Sequence, residues 1–484
     1  MKLVKWLKHI VFSLLLLIVG AMGLRLYELQ RGPDLQLWHT YVPHEMDADE
    51  IDSANWNDYL KRENSLFDDV RRNVTDKLDV QQQTELNRYY ANSPIYPDSF
   101  PTNWNRSYIM MPDGKPKGAV VLLHGLTDTP YSLRHVADNY RQHGFIAIGI
   151  RLPGHGTVPA GLTDVNWQDW LAATRLAVRE AKRLAGNDVP LHIVGFSNGG
   201  ALAMKYSLDA LDNPALAKPQ RVVLISPMIG ITSFARFSGV AGWPAFLPAF
   251  SKAAWLNIMP EFNPFKYNSF PTNAARQSFL LTKALQSQIV TDSRNNKIGE
   301  LPPILTFQSV MDSTVSTRAI ITALYNRLPA NGSEIVLFDL NHAVRFNLLL
   351  RRTSYTALSR LLPAPPRLYR TTIITNVNSD STEMEIRTMP AGKTEQTVED
   401  LTGLRYLPDV YSLSHVALPF PLSDSLYGRY PHPLNQYGIS LGTFAARGER
   451  SVLVVGLDSL MRQSSNPFFP YMLKRIDEGI DTAN

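Results

Sequence analysis

Gly195-Phe196-Ser197-Asn198-Gly199 places a serine between two glycines, directly after the apolar run 191–194 and ahead of a helix-like stretch, 199–211. A G-x-S-x-G pentapeptide in that context is the signature of a sharp strand-to-helix turn that exposes a nucleophilic hydroxyl. The turn is strained, and flanking glycines remove the side chains that would collide inside it. Attack on a carbonyl also needs donors aimed at the developing oxyanion, which backbone N–H groups supply without reorganising. Leu122-Leu123-His124-Gly125-Leu126-Thr127 ends an earlier apolar run in a glycine-containing turn. The expected donors are the N–H groups of Leu126 and of Asn198, the residue after the serine. His124 belongs to that turn and precedes the serine, which argues against it as the base.

Several segments resemble one family: LLHGLTDTPYSLR, then IRLPGHG, then GFSNGG, then a strand followed by an aspartate in FQSVMDSTV. They are similar to the bacterial carboxylesterase, monoacylglycerol lipase and lysophospholipase-like branch of the α/β-hydrolases, which is also S33 serine aminopeptidase-like. The similarity runs over roughly residues 105–345. It implies Ser197 as nucleophile, Asp312 as the acid, Leu126 with Asn198 as the oxyanion hole, and a structural role for His155. Asp312 follows the strand-like run 304–307 by a short loop, a place from which a carboxylate orients an imidazole; a loop-capping aspartate beside Ser313 and Thr314 is the plainer reading.

Two histidines compete for the base. His342 follows the strand-like run 335–338 at a separation from Asp312 like that of related esterases. His415 lies in SLSHVALPFPLSDSLYG, which resembles the S/G-H-V segment around the base in the same families and whose prolines suit a rigid loop. The second is favoured. It makes 343–410 an insertion, whereas the first leaves 364–484 as an appendage.

Composition excludes other chemistries. The chain has 484 residues, 44% of them hydrophobic, and no cysteine, so a thiol nucleophile, a disulfide and Cys-ligated zinc are ruled out. No H-E-x-x-H or comparable cluster suggests a metal, and no cofactor is expected. The 48 basic and 43 acidic residues give a formal charge of +5 with no long basic run, so nucleic acid is not an expected partner.

The elements that must hold these residues are legible as an alternation. Strand-like runs at 119–123, 146–150, 191–194, 222–225, 304–307 and 335–338 are separated by helix-like stretches at 131–143, 167–184 and 199–211. Such alternation predicts βαβ units, hence an α/β-hydrolase fold with a mostly parallel sheet and helices on both faces. Further strand candidates lie at 371–374, 384–388 and 451–455. Between 228 and 301 the alternation pauses at an aromatic-rich insertion with Phe234, Trp243, Phe250, Trp255, Phe262 and Phe270, which reads as a cap or lid. No internal repeat is present.

Lys2, Lys5 and Lys8 precede the uncharged run 10–24. This predicts an export segment, either a signal anchor with the rest of the chain outside a bacterial inner membrane, or a peptide cleaved near Ala21-Met22-Gly23 to release a secreted protein. The expected organisation is therefore an anchor or signal at 1–30, a helical stalk or packing arm at 31–104, the first part of the core at 105–227, the cap at 228–301 and the second part of the core at 302–484. The expected activity is cleavage of a carboxylic ester, with a small-molecule or lipid ester as substrate, through an acyl-enzyme. An amidase or peptidase of the same fold, and a non-catalytic membrane-attached scaffold, are the alternatives.

Overall fold

The computed structural model describes residues 2–230, 248–345, 348, 350–351, 354, 356–442, 456 and 465–481. The strand expected at 451–455 and the aromatic residues Phe234 and Trp243 fall outside them.

The chain begins with helix α1, Lys2–Arg31. Among the described residues no helix is long and apolar enough to cross a membrane, so the anchor expected at 1–30 and membrane attachment through it gain no support. The physical reason is length: the uncharged run between His9 and Arg25 rises only about 22 Å as a helix, short of a hydrocarbon core of roughly 30 Å. Leu14, Leu15, Leu16 and Leu17 on this helix are exposed.

The next segment packs on the core as an arm. Its helices are α2 (Ala48–Ser53) and α3 (Trp56–Asn73), separated because the Asn55 side chain accepts from the Asp58 N–H and starts a new helix. Ile51, Trp56 and Tyr59 are buried in the main apolar cluster. Glu63 reaches Arg151 at 3.1 Å. Glu45 makes two further bonds to the same guanidinium, at 2.8 and 3.0 Å. All three side chains are nearly fully buried.

Among the described residues the main sheet has ten strands. It comprises β1 (Tyr108–Met110), β2 (Gly118–Leu123), β3 (Phe145–Ile150), β4 (Leu191–Phe196) and β5 (Arg221–Ile225). A separate two-stranded ribbon, β6 (Trp255–Asn257) and β7 (Phe270–Pro271), intervenes. The sheet resumes with β8 (Ile304–Ser309), β9 (Glu334–Phe338), β10 (Arg370–Asn376), β11 (Glu383–Met389) and β12 (Thr397–Arg405). The order is β1-β3-β2-β4-β5-β8-β9-β10-β11-β12. The strands from β3 to β10 pair in parallel, and β1, β11 and β12 are antiparallel additions at the edges. Strands β2, β3, β4, β8 and β9 are buried at every position, as helices on both faces require, and this is why they read as unbroken apolar runs.

One face is covered by α5 (Trp167–Ala185), α6 (Asn198–Asp212) and α7 (Thr272–Arg294). The other carries α4 (Arg134–Gln142) and α8 (Phe469–Asp481). Helix α7 lies within the expected 228–301 cap, yet Leu281, Leu285 and Ile289 are buried in the core cluster beside α6. Its apolar face makes it a structural layer. The chain beyond 364 is likewise integral, since β10 extends the parallel sheet and α8 closes its second face.

Arg151→Met would leave the Glu45 and Glu63 carboxylates buried without their cation. Urea unfolding should show a loss of about 3–5 kcal/mol, the usual effect of removing one partner of a buried pair. A loss below about 1 kcal/mol would mean that the arm does not depend on this cluster.

Candidate active site

Strand β4 ends and helix α6 begins within two residues, and Ser197 takes up the whole turn. Its φ of 54° lies in the left-handed region that side chains other than glycine avoid. A β-carbon on Gly199 would collide with the Leu123 carbonyl, and one on Gly195 with the Gly199 backbone. The glycines let the turn approach the end of β2 this closely. The Ser197 N–H donates to the Ile225 carbonyl at 3.0 Å, and its own carbonyl accepts from Met228 at 2.9 Å.

His415 and Asp312 meet the serine hydroxyl at the carboxyl ends of the strands. Ser197 Oγ is 2.9 Å from His415 Nε2, and His415 Nδ1 is 2.8 Å from Asp312 Oδ2. Ionised Asp312 only accepts, so Nδ1 carries the proton and Nε2 is left to accept from the serine. The other carboxylate oxygen accepts from the Thr314 and Val315 N–H groups at 2.8 and 3.1 Å. Burial pushes the Asp312 carboxyl up, but the imidazole and these two N–H groups outweigh it and hold the pKa below its ordinary value. The Phe196 ring stacks on the imidazole with centroids 5.4 Å apart.

The rival histidine is bound elsewhere. His342 Nε2 lies 3.1 Å from Asp339 Oδ2, and its N–H donates to Asn376 Oδ1 at 2.8 Å. The loop that carries it braces the returning chain: the Asn341 N–H donates to Tyr411 O at 2.9 Å, and Asn341 Nδ2 to Val410 O at 2.8 Å. The structure thus brings Ser197, Asp312 and His415 together and gives His342 to the brace.

Leu126 lines the cavity beside Ser197, and Asn198 is the first residue of α6, where an N–H has no partner within its own helix. Ser278 of α7 donates to Asn198 Oδ1 at 2.8 Å and fixes that side chain. His124 is buried behind the turn, bonded to Gly125 O at 2.9 Å and accepting from the Leu152 N–H at 3.1 Å, and burial drives its pKa well down. His155 is buried against it with ring centroids 5.0 Å apart. Both are neutral packing groups.

The cavity over the serine has a volume of about 480 Å3. Among the described residues, Tyr267 and Phe270 are the insertion aromatics in its wall. Trp255, Phe262 and Phe265 are instead buried in packing clusters.

One residue that the sequence reading did not single out ties the site together. Asp424 accepts from the Tyr131 hydroxyl at 3.0 Å, Arg134 at 2.6 Å and His135 at 2.9 Å. It also takes the N–H groups of Leu426 and Tyr427 at 2.9 and 2.7 Å. Tyr131 and Arg134 follow the oxyanion turn, and Asp424 follows His415, so this carboxylate joins the two loops that must agree in position. An aspartate followed two and three residues later by the N–H groups it caps is a turn signal, but its distant partners leave no mark in the local sequence.

Burial alone would raise the Asp424 carboxyl, but Arg134 and His135 overcome it and hold the pKa far below the ordinary 3.8. A depressed pKa stabilises the fold above the unfolded value and loses that contribution as pH falls through the folded one. Asp424→Asn should therefore cost about 3–5 kcal/mol near neutrality, a deficit that shrinks only as pH drops below 3.8. Denaturant unfolding at a series of pH values checks this, and a deficit that does not change with pH would contradict it.

A family model described as serine aminopeptidase, S33, matches residues 114–340, a stretch that includes Ser197 and Asp312 but stops before His415. The thermostable monoacylglycerol lipase of Bacillus sp. (strain H-257) is 32% identical over 85 residues, which is 18% of this chain and 33% of that protein. The aligned part therefore spans only a third of that relative's length. Among solved structures, one of the metagenome-derived lipolytic enzymes LipS and LipT shares 19% identity over 49% of this chain and 88% of its own, with a TM-score of 0.39. A soluble variant of the Saccharomyces cerevisiae monoglyceride lipase shares 14% over 48% and 81%, with a TM-score of 0.37. The parallel sheet wound by helices on both faces is an α/β-hydrolase fold, and over residues 114–340 the chain is similar to the serine aminopeptidase, S33, family.

Proposed function

We propose that this chain is a serine hydrolase that cleaves carboxylic esters through an acyl-enzyme. The observation that carries the reading is the hydrogen-bonded series from Ser197 Oγ through His415 to Asp312. Nε2 of His415 takes the hydroxyl proton as Oγ attacks the ester carbonyl, and the Leu126 and Asn198 N–H groups hold the oxyanion. Asp312 keeps the ring in the reactive tautomer and stabilises the imidazolium. The imidazolium then protonates the departing alkoxide, which leaves as an alcohol. Water, deprotonated by His415, attacks the acyl-serine; the carboxylic acid departs and Oγ regains its proton.

The wall formed by Leu126, Met228, Met259, Phe270, Val416 and Phe420 supports an apolar acyl chain. The lipase named among the relatives is consistent with that. The family description favours a second reading, cleavage of an amide by the same residues. Turnover of aminoacyl amides without turnover of p-nitrophenyl esters would select it.

His415→Ala should lower kcat for a p-nitrophenyl ester by roughly 10⁴–10⁶-fold with the fold intact, because triad members act as a unit. His342→Ala, which loses a bond to Asp339 outside the series, should stay within about 10-fold, because it removes no group that acts with Ser197. The reverse pattern would assign the base to His342 and defeat this reading.

A further inference from the structure

The N–H of Asn198 belongs to a peptide plane that is held from both ends. The carbonyl half is that of Ser197, whose oxygen accepts from the Gly200 and Met228 N–H groups at 3.0 and 2.9 Å. A peptide unit is planar, so fixing the oxygen at one end restrains the N–H at the other. The far end is the Asn198 Cα, and there the Ser278 hydroxyl reaches Oδ1 from α7 at 2.8 Å. Asn198 is fully buried, and Nδ2 of the same amide has no hydrogen-bond partner among the described residues. A buried amide with one end unpaired carries a desolvation cost, and the Ser278 bond sets the direction in which it lies.

Helix α7 is itself anchored to the core. Asn273 Nδ2 donates to Leu162 O and Val165 O at 3.1 and 2.9 Å, and Gln277 Oε1 accepts from the Trp167 N–H at 3.2 Å. Leu281, Leu285 and Ile289 are buried in the main apolar cluster. Eight residues beyond Ser278, Gln286 Nε2 donates to the Ile229 carbonyl at 2.8 Å, beside the residue whose N–H holds the Ser197 oxygen. One helix thus braces both ends of the plane that carries the donor. These contacts dock α7 without Ser278, so loss of its hydroxyl leaves the helix in place and frees the Asn198 side chain.

We propose that Ser278 is a positioning residue for the reaction: by holding the Asn198 side chain it keeps the Asn198 backbone N–H aimed at the oxyanion. The role rests on the serine hydrolase reading. Ser278 acts through Asn198, so its loss is felt where negative charge develops on the carbonyl oxygen and not in the binding of the ground-state ester.

The test is Ser278→Ala assayed with p-nitrophenyl hexanoate. Its kcat should fall by roughly 10–100-fold, less than the loss of about 10²–10³-fold for a whole oxyanion donor, while KM stays within about 2-fold. Inhibition by 1,1,1-trifluoro-2-octanone, whose hemiketal oxygen takes the same donors, should weaken by about the same factor as kcat/KM. Ser278→Thr keeps the hydroxyl and should return both values to within about 3-fold of the wild type. Asn198→Ala removes the same bond from the other side and should show the same loss, and adding Ser278→Ala to it should cost less than about 2-fold more, because the two ends of one bond are not additive. A kcat within about 2-fold of the wild type in either single variant, a rise in KM that leaves inhibition unchanged, or a full further loss in the double variant overturns the role. Fluorophosphonate labelling of the wild type separates the two claims. A labelled chain whose kcat ignores Ser278 sinks the positioning role alone, while an unlabelled chain that does not cleave the ester sinks the hydrolase reading with it.

Discussion

A single carboxylate sets the geometry on which the site depends: Asp312 must hold the His415 ring although 103 residues separate them. The bond is 2.8 Å long and its carboxylate is fully buried, a placement tolerable only because the imidazole and two backbone N–H groups satisfy it. Much of the second half of the chain follows from this demand. After β9 the polypeptide adds three more strands before it comes back to the serine, and its return must be fixed to within a few tenths of an ångström for the ring to sit between Oγ and Oδ2.

Two polar devices supply that precision. Asn341 receives the returning chain at Tyr411 and Val410, and Asp424 fastens the segment after His415 to the residues after the oxyanion turn. Each is buried and bonded to more than one element, so each is costly to lose and specific in what it joins. The strained elbow at Ser197 and the left-handed Thr127 lie between these fixed points, where the surrounding sheet over-determines their backbone.

The parts of this arrangement that were legible in the sequence are those with a local cause. Parallel strands buried on both faces read as short apolar runs, and the elbow glycines mark the serine because only their absence of a β-carbon permits the turn. What was not legible is set by distant partners. Nothing local to Asp424 shows that Arg134 and His135 wait for it. His342 occupies the end of β9, where ordinary spacing from Asp312 places a base, and Asp339 claims it instead. The strands β10 to β12 lengthen the chain between Asp312 and His415, and it is the ring of His415 that lies 2.9 Å from Ser197 Oγ. Among the described residues of the aromatic insertion, Trp255, Phe262 and Phe265 fill packing clusters, and Tyr267 and Phe270 stand in the cavity wall.

The central claim is a covalent bond between the acyl group and Ser197 Oγ. Rapid acid quenching of the protein during turnover of p-nitrophenyl hexanoate, followed by digestion and mass analysis, reads it directly. The account requires a hexanoyl adduct on the peptide that carries Ser197. An actively hydrolysing preparation whose acyl group maps to another residue, or to no residue of the chain, would contradict it.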